Sequence, residues 1–253
     1  MLSKLESKII LIALLLLIPV TAGLTTYVLL QASDNSRLST GSDGYVTPKW
    51  LGSLVERVQE SLVTVKCLET IGSGFAFDLD AADISNDFDY INDDARNAES
   101  LVITNAHVIE GCIAEGLVGI TINDESNSTA KVLKIDMPND LALLTTDVSI
   151  KSLSGVYCEP RPVYWTMASG SPHNFAGSVT FGNIINLDSN LVFHTASLSP
   201  GNSGGPLVDN EGYVYGVNTG SKPVGQNFNI SIGINTFCDQ LFICPKTKFW
   251  DKK

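Results

Sequence analysis

Three residue types that together can break acyl bonds lie far apart in this chain. Ser203 sits in "SPGNSGGPLV" (Ser199–Val208), where three glycines and two prolines surround it. Glycine and proline punctuate turns, so a tight loop between strands is the plain reading of the stretch. A nucleophilic serine needs more: a base within hydrogen-bond reach, an acid to hold the base's tautomer, and donors for a tetrahedral oxyanion. The loop itself has the donors. Gly201 puts no side chain in front of a substrate carbonyl, and the amides of Gly201 and Ser203, with Asn202 between them, make the oxyanion-hole set.

The base has one well-placed candidate. His107 follows a β-branched run in "VITNAHVIEGC", whereas His173 lies in a loop ("GSPHNF") and His194 within a strand pattern ("LVFHTAS"). A single unpaired histidine is more often structural than catalytic, and His194 keeps both readings, pocket residue or part of the fold. The acid comes from "MPNDLALL". Asp140 immediately precedes four apolar residues, where the chain enters its core, and Asp136 lacks that run.

The elements that must position these residues are short. From Leu62 onward, β-rich runs alternate with turn signals, among them "GSGFAFDL", "SLVITNAHVI", "GLVGITIN", "LALLTTD", "GSVTFGNIINL" and "FNISIGIN". About ten to twelve strands with no long amphipathic helix between them make an all-β barrel or sandwich. Before them, Leu51, Leu54, Val55 and Val58 recur at helical spacing, and "NTFCDQLFICP" closes the chain as a short helix or turn. Asp78 to Ser100 interrupts the rhythm with eight acids and one arginine. It reads as a long acidic hairpin loop, lacking the glycine and terminal glutamate of an EF-hand site.

Composition narrows the function classes. A net charge of −11 over 253 residues excludes nucleic-acid or anionic-lipid binding through bulk charge. Five cysteines suit an oxidising compartment, and no pair of them has CxxC spacing. With three histidines besides, no metal and no cofactor are expected.

"GSGFAF", "VITNAHVI", "NDLALL", "PGNSGGPLV" and "VYGVNTG" follow one another in the order and rough spacing of trypsin-like serine proteases. Over about Leu51 to Gln240 the chain resembles that family, its HtrA/Deg branch most closely. The resemblance implies two six-stranded antiparallel, chymotrypsin-like barrels, with His107 and Asp140 from the first, Ser203 from the second, and protein or peptide substrates. HtrA/Deg enzymes usually carry PDZ domains after the protease; the sequence stops at Lys253, so PDZ-driven regulation is not carried over. The resemblance also implies a Cys67–Cys112 bridge and a less certain Cys238–Cys244 bridge, with Cys158 free. It lines the specificity pocket with Ser197 and Leu198, and makes Asn218, Thr219 and Gly220 the wall and edge that pair with substrate backbone. No acid occurs between Leu191 and Leu207, so small or medium apolar side chains are expected before the scissile bond. An inactive, protease-like binding module on the membrane surface is the alternative reading of the same residues.

The N-terminus reads as an export device. Ile9 to Leu30 is 22 residues without a formal charge, preceded by Lys4 and Lys8 and followed by no basic residue until Arg37. That suffices for one transmembrane helix with residues 1–8 cytoplasmic and the remainder extracytoplasmic. Cleavage near Ala22 is the competing reading, but the apolar run continues eight residues beyond it, which favours an anchor. Residues 1–30 carry a net +1 (Lys4, Lys8, Glu6), so the exported part carries −12. Residues 31–49 then form a flexible stalk, 50–245 the catalytic domain and 246–253 a tail. Oligomeric state is not legible.

Overall fold

The computed structural model describes residues 44–78, 98–122, 126–155, 160–172, 175–221 and 228–240. The apolar run 9–30, His173, Cys158, Cys244, the tail and residues 79–97 of the acidic segment lie outside them. Among the described residues, no helix is long and apolar enough to cross a membrane.

"LALLTT" shows how the apolar runs become architecture. It forms β6 (Leu141–Thr146), buried at every position. Side chains alternate sides along a strand. Leu141 and Leu143 therefore join one core with Phe75 and Ile103, while Ala142 and Leu144 join another with Val63 and Val102. The second core fills the first barrel. The first core spans that barrel's outer face and the second barrel.

Six strands close the first barrel in the order β1-β2-β3-β6-β5-β4. The remaining five are β1 (Leu62–Cys67), β2 (Thr70–Ala76), β3 (Ser100–Thr104), β4 (Leu117–Ile122) and β5 (Ser126–Asp136). The second barrel closes as β10-β11-β12-β9-β8-β7. Its strands are β7 (Trp165–Gly170), β8 (Ser178–Asp188), β9 (Leu191–His194), β10 (Pro206–Val208), β11 (Val214–Ser221) and β12 (Asn229–Gly233). All pairings within the barrels are antiparallel, the expected chymotrypsin-like arrangement. The short closing helix runs Ile234–Gln240.

The folded unit starts earlier than the sequence suggests, at Gly44 rather than residue 50. Residues 44–49 are not stalk. Gly44 O accepts from Trp165 N–H (2.7 Å), Val46 O accepts from Asn210 Nδ2 (2.8 Å), and the Tyr45 ring stands edge-on to Tyr164 at 4.5 Å. Helix α1 (Leu51–Gln59) follows and buries Leu54 and Val58 against the core that reaches the second barrel. Arg57 donates to Glu211 O, and Gln59 Nε2 donates to Gly177 O (2.7 Å). The chain thus straps the second barrel before it builds the first.

Cys67 and Cys112 are joined in a disulfide across a sequence separation of 45. It ties the end of β1 to the 3-10 turn Glu110–Cys112, which follows the His107 segment. Cys67→Ser with Cys112→Ser should lower the unfolding free energy by ~3–4 kcal/mol on loop-closure grounds. Denaturant midpoints measure this, and unchanged stability would contradict it.

Asp209 is buried beyond β10, its Oδ1 accepting from Glu211 N–H (2.8 Å) and Tyr213 N–H (2.9 Å). Burial pushes its carboxyl up to about 6, against the opposing pull of those two bonds. The folded state therefore holds the proton longer than the unfolded chain, so stability falls as pH rises from about 4 to about 6. Asp209→Asn keeps an oxygen for both N–H groups and removes the charge. It should flatten that slope and raise stability at pH 7 by roughly 1–3 kcal/mol, read from unfolding midpoints across pH.

Candidate active site

His107 stands on a single helical turn, α2 (Ala106–Ile109), directly after β3. A turn this short leaves its first N–H groups without internal acceptors. Asp140 caps it from elsewhere in the chain: His107 N–H donates to Asp140 Oδ1 at 2.9 Å. The same carboxylate holds the imidazole, with Nδ1 at 2.9 Å from Oδ1 and 2.8 Å from Oδ2. Asn105 Nδ2 secures the other side by donating to Asp140 O (2.8 Å). Asp140 adopts a left-handed backbone (φ 54°) one residue before β6, a conformation that aspartate tolerates better than most. Burial pushes its carboxyl up. The His107 side chain and N–H and the Thr219 hydroxyl outweigh that and hold it below the usual value.

The structure brings Asp140, and not Asp136, to His107. Asp136 instead closes the β5–β6 turn, accepting from Asn139 N–H (3.2 Å) and Asn139 Nδ2 (2.6 Å).

Ser203 arrives from the second barrel. Its loop is folded by Asn202 N–H to Ser199 O (3.0 Å) and Gly205 N–H to Asn202 O (3.0 Å). Gly204 (φ 87°) packs so tightly that a Cβ would run into Ser73 O and Thr104 Oγ1, which makes glycine obligatory there. Ser203 Oγ donates to Thr219 O (3.1 Å), and Thr219 Oγ1 donates to Asp140 Oδ2 (2.7 Å). Among the described residues, no hydrogen bond joins Ser203 Oγ to His107. Thr219 thus gathers the three residues around itself. It can do so because β11 is irregular between Asn218 and Gly220, the one place where its register against β12 skips a residue.

Of the three amides proposed for the oxyanion, Asn202 drops out, because its N–H is spent on Ser199 O. Among the described residues, the Gly201 and Ser203 N–H groups donate to no internal acceptor, so they remain available to an incoming oxygen. The pocket residues also sort themselves. Gly220 faces open space, and Ser197 is exposed while its carbonyl accepts from Thr180 Oγ1 (2.8 Å). Leu198 is half-buried, its N–H donating to Asn229 Oδ1 (3.1 Å). Asn218 corrects the expectation of a pocket wall. It is fully buried, and its Nδ2 donates to Ser169 O and Pro206 O (both 3.1 Å), so it braces the nucleophile loop from behind.

His194 is structural in this fold. Ser231 Oγ donates to Asn218 Oδ1 (2.9 Å) and so accepts from His194 Nε2–H (3.0 Å), which fixes the tautomer. Burial drives its imidazole down to about 4, only partly offset by the Ala196 backbone, and it stays neutral at ordinary pH. The Cys238 side chain and His173 fall outside the described residues.

Ser73 escapes sequence reasoning. It lies in "GSGF" on β2, where Gly72 lets the strand approach Val108 and Ser203 O within van der Waals reach. Ser73 N–H donates to Ser203 O (2.7 Å), and its Oγ donates to Gly201 O (2.6 Å) and accepts from Ser171 N–H (2.8 Å). The only sequence signal was a serine between two glycines in an otherwise apolar strand. Ser73→Ala leaves Gly201 O and Ser171 N–H unpaired and frees the peptide next to the oxyanion amides. It should lower kcat about 10- to 100-fold with KM little changed, and weaken a boronate transition-state mimic in step. A fall in thermal stability alone, with kcat retained, would make Ser73 merely structural.

Comparison with known proteins agrees with this geometry. The trypsin-like peptidase domain family matches residues 72–217, more than half of the chain. The putative serine protease HhoB of Synechocystis sp. is 32% identical over 154 residues, 55% of this chain and 36% of its own. A probable periplasmic serine endoprotease, DegP-like, of Chlamydia muridarum is 32% identical over 135 residues, 48% of this chain and 26% of its own. The chain thus spans about a third of the length of such relatives. Among solved structures, the serine endoprotease from Yersinia pestis superposes with a TM-score of 0.63 at 23% identity, covering 78% of this chain and 66% of that one. An HtrA-type protease, AlgW with tripeptide, gives 0.61 at 22% identity, covering 75% and 62%. Barrels, site and family match converge: the chain belongs to the trypsin-like peptidase domain family.

Proposed function

We propose that the chain is a serine endopeptidase that hydrolyses peptide bonds through an acyl-enzyme. The observation that carries this is the linked set His107–Asp140–Thr219–Ser203, with the Gly201 and Ser203 amides free beside it. A substrate pairing with the β11 edge offers an N–H to Thr219 O, the acceptor that Ser203 Oγ now uses. The hydroxyl is then released to rotate toward His107 Nε2. His107 takes its proton as Ser203 attacks the carbonyl, Asp140 stabilises the imidazolium, and the two amides hold the oxyanion. His107 next protonates the leaving amine, and water repeats the sequence on the acyl-enzyme.

Substrates are protein or peptide chains with a small or medium apolar residue before the scissile bond, because no acid lies between Leu191 and Leu207 to neutralise Arg or Lys. The domain stands on the extracytoplasmic side of a membrane, held by residues 9–30. Cleavage near Ala22 would release it instead.

A fluorophosphonate probe tests the activity: it should label the protein, and Ser203→Ala should abolish labelling. A folded protein that binds peptides but resists the probe would be the inactive binding module instead. Cleavage-site profiling with Ser203→Ala as the blank tests the side-chain preference, and dominant cutting after Arg or Lys would sink it. Carbonate extraction of membranes with protease protection tests the anchor.

A further inference from the structure

A row of buried polar side chains crosses the second barrel. Asn218 on β11 pairs with Ser231 on β12, and Asn229 of the same strand pairs with His194 on β9. Paired residues share a face of a sheet, as do residues two apart on one strand, so Asn218, Ser231 and His194 belong to one face. All three are fully buried. Polar groups in such a place destabilise the fold unless each is partnered, so the direction of every proton along the row is constrained.

The directions follow from the end nearest the nucleophile loop. Asn218 Nδ2 lies 3.1 Å from both Ser169 O and Pro206 O. Two carbonyls can be met only by the NH2 group, so Oδ1 faces the other way, where the Ser231 hydroxyl stands at 2.9 Å. A hydroxyl has one proton, and here it goes to that oxygen. The 3.0 Å contact between Ser231 Oγ and His194 Nε2 must then take its proton from the imidazole. Nδ1 keeps a lone pair that meets no donor among the described residues. The other tautomer would protonate Nδ1 beside the Ala196 backbone and draw the Ser231 proton to Nε2. Asn218 would be left with an orphaned oxygen, or would turn it onto two carbonyl oxygens.

The amide at the end of the row holds the far side of the loop. Asn218 N–H donates to Gly205 O, and Asn218 O accepts from Gly204 N–H (both 2.8 Å). Its side chain adds Pro206, and a Cβ on Gly205 would run into Ser169 O, the second carbonyl that the amide meets. Asn218 thus grips the three residues that follow Ser203, and Ser231 is the donor that keeps its amide pointed at them.

We propose that Ser231 and His194 are positioning residues for the reaction: His194, carrying its proton on Nε2, turns the Ser231 hydroxyl to Asn218, and the amide so directed holds the loop behind the nucleophile. The inference rests on the peptidase reading above. Neither residue touches the reacting atoms. Without the hydroxyl, His194 Nε2–H and Asn218 Oδ1 are both unpaired, and Asn218 reaches toward the imidazole only by leaving Pro206 O.

Kinetics of two variants and the nitrogen NMR spectrum of the imidazole test it. Ser231→Ala should lower kcat about 10-fold per fluorophosphonate-titrated site and weaken a boronate transition-state mimic in step, with KM little changed. Ser231→Thr keeps the hydroxyl in a more crowded place, so it should lose thermal stability yet hold kcat within about threefold. If both variants change stability and leave kcat per site intact, the serine is merely structural and the proposal is overturned. The wild-type spectrum should show His194 as the Nε2–H tautomer, its resonances recognised by their absence from His194→Leu. A proton on Nδ1 would sink the proposal whether or not either serine variant folds. A wild type that reacts with fluorophosphonate but shows that tautomer loses the positioning role alone. A wild type inert to the probe loses the peptidase reading, and the positioning role with it.

Discussion

Ser203→Ala should reduce turnover about 10^6-fold while leaving KM and folding nearly unchanged. The loss is large because the hydroxyl is the only atom removed and no other described group lies where it could replace it. Folding survives because the loop does not depend on that oxygen. Ser73 N–H still binds residue 203's carbonyl, Gly204 N–H still binds Asn218 O, and Gly205 still closes its turn on Asn202 O. Thr219 O merely loses a donor at a half-buried position, where water can substitute. Some acceleration over water should remain, because the Gly201 and Ser203 amides and the peptide-binding edge persist. Adding His107→Ala to this variant should cost almost nothing more, since residues acting as one unit are grossly non-additive. Single-turnover assays on purified variants, with active-site titration to exclude contaminating protease, give the comparison. Residual turnover above 1% of wild type, or an additive second loss, would show that Ser203 and His107 do not form one catalytic unit.

What could be read from sequence was local. Short continuous apolar runs such as "LALLTT" announce strands covered on both faces, because adjacent residues face different cores, and the structure divides them that way. Asp140 was legible because the apolar run beginning at Leu141 fixes where the chain goes inside. The remainder depends on contacts with no local signature. Ser73 meets Gly201 across 128 positions, and Thr219 meets Asp140 across 79. The resemblance made Asn218 pocket wall together with Thr219 and Gly220, yet the fold turns Thr219 to the site and buries Asn218. Residues 44–49 looked like stalk because polar composition hides backbone bonding, and it is Gly44 O and Val46 O that hold them.

Asp140→Asn should cost about 10^4-fold in kcat without moving the backbone. The carboxylate now accepts three donors: His107 N–H at Oδ1, Thr219 Oγ1–H at Oδ2, and His107 Nδ1–H within 2.9 Å of both oxygens. An amide has one oxygen. If that oxygen keeps His107 N–H, the NH2 group meets Nδ1, which must then present its lone pair. The proton moves to Nε2, and the imidazole can no longer accept one from Ser203. If the amide flips, its NH2 faces the backbone N–H and uncaps α2. Either choice fails, and the first leaves a folded but slow enzyme. Stability should also lose a pH term. The folded carboxyl titrates below its ordinary value, so its contribution is full above that value and disappears as pH falls through the folded one. The asparagine variant should lack that acid-limb loss. Asp136→Asn is the control, because Asp136 serves only the turn and should leave kcat within about threefold. Equal losses from the two substitutions would mean that the site needs the shape of the β5–β6 turn rather than a carboxylate against His107.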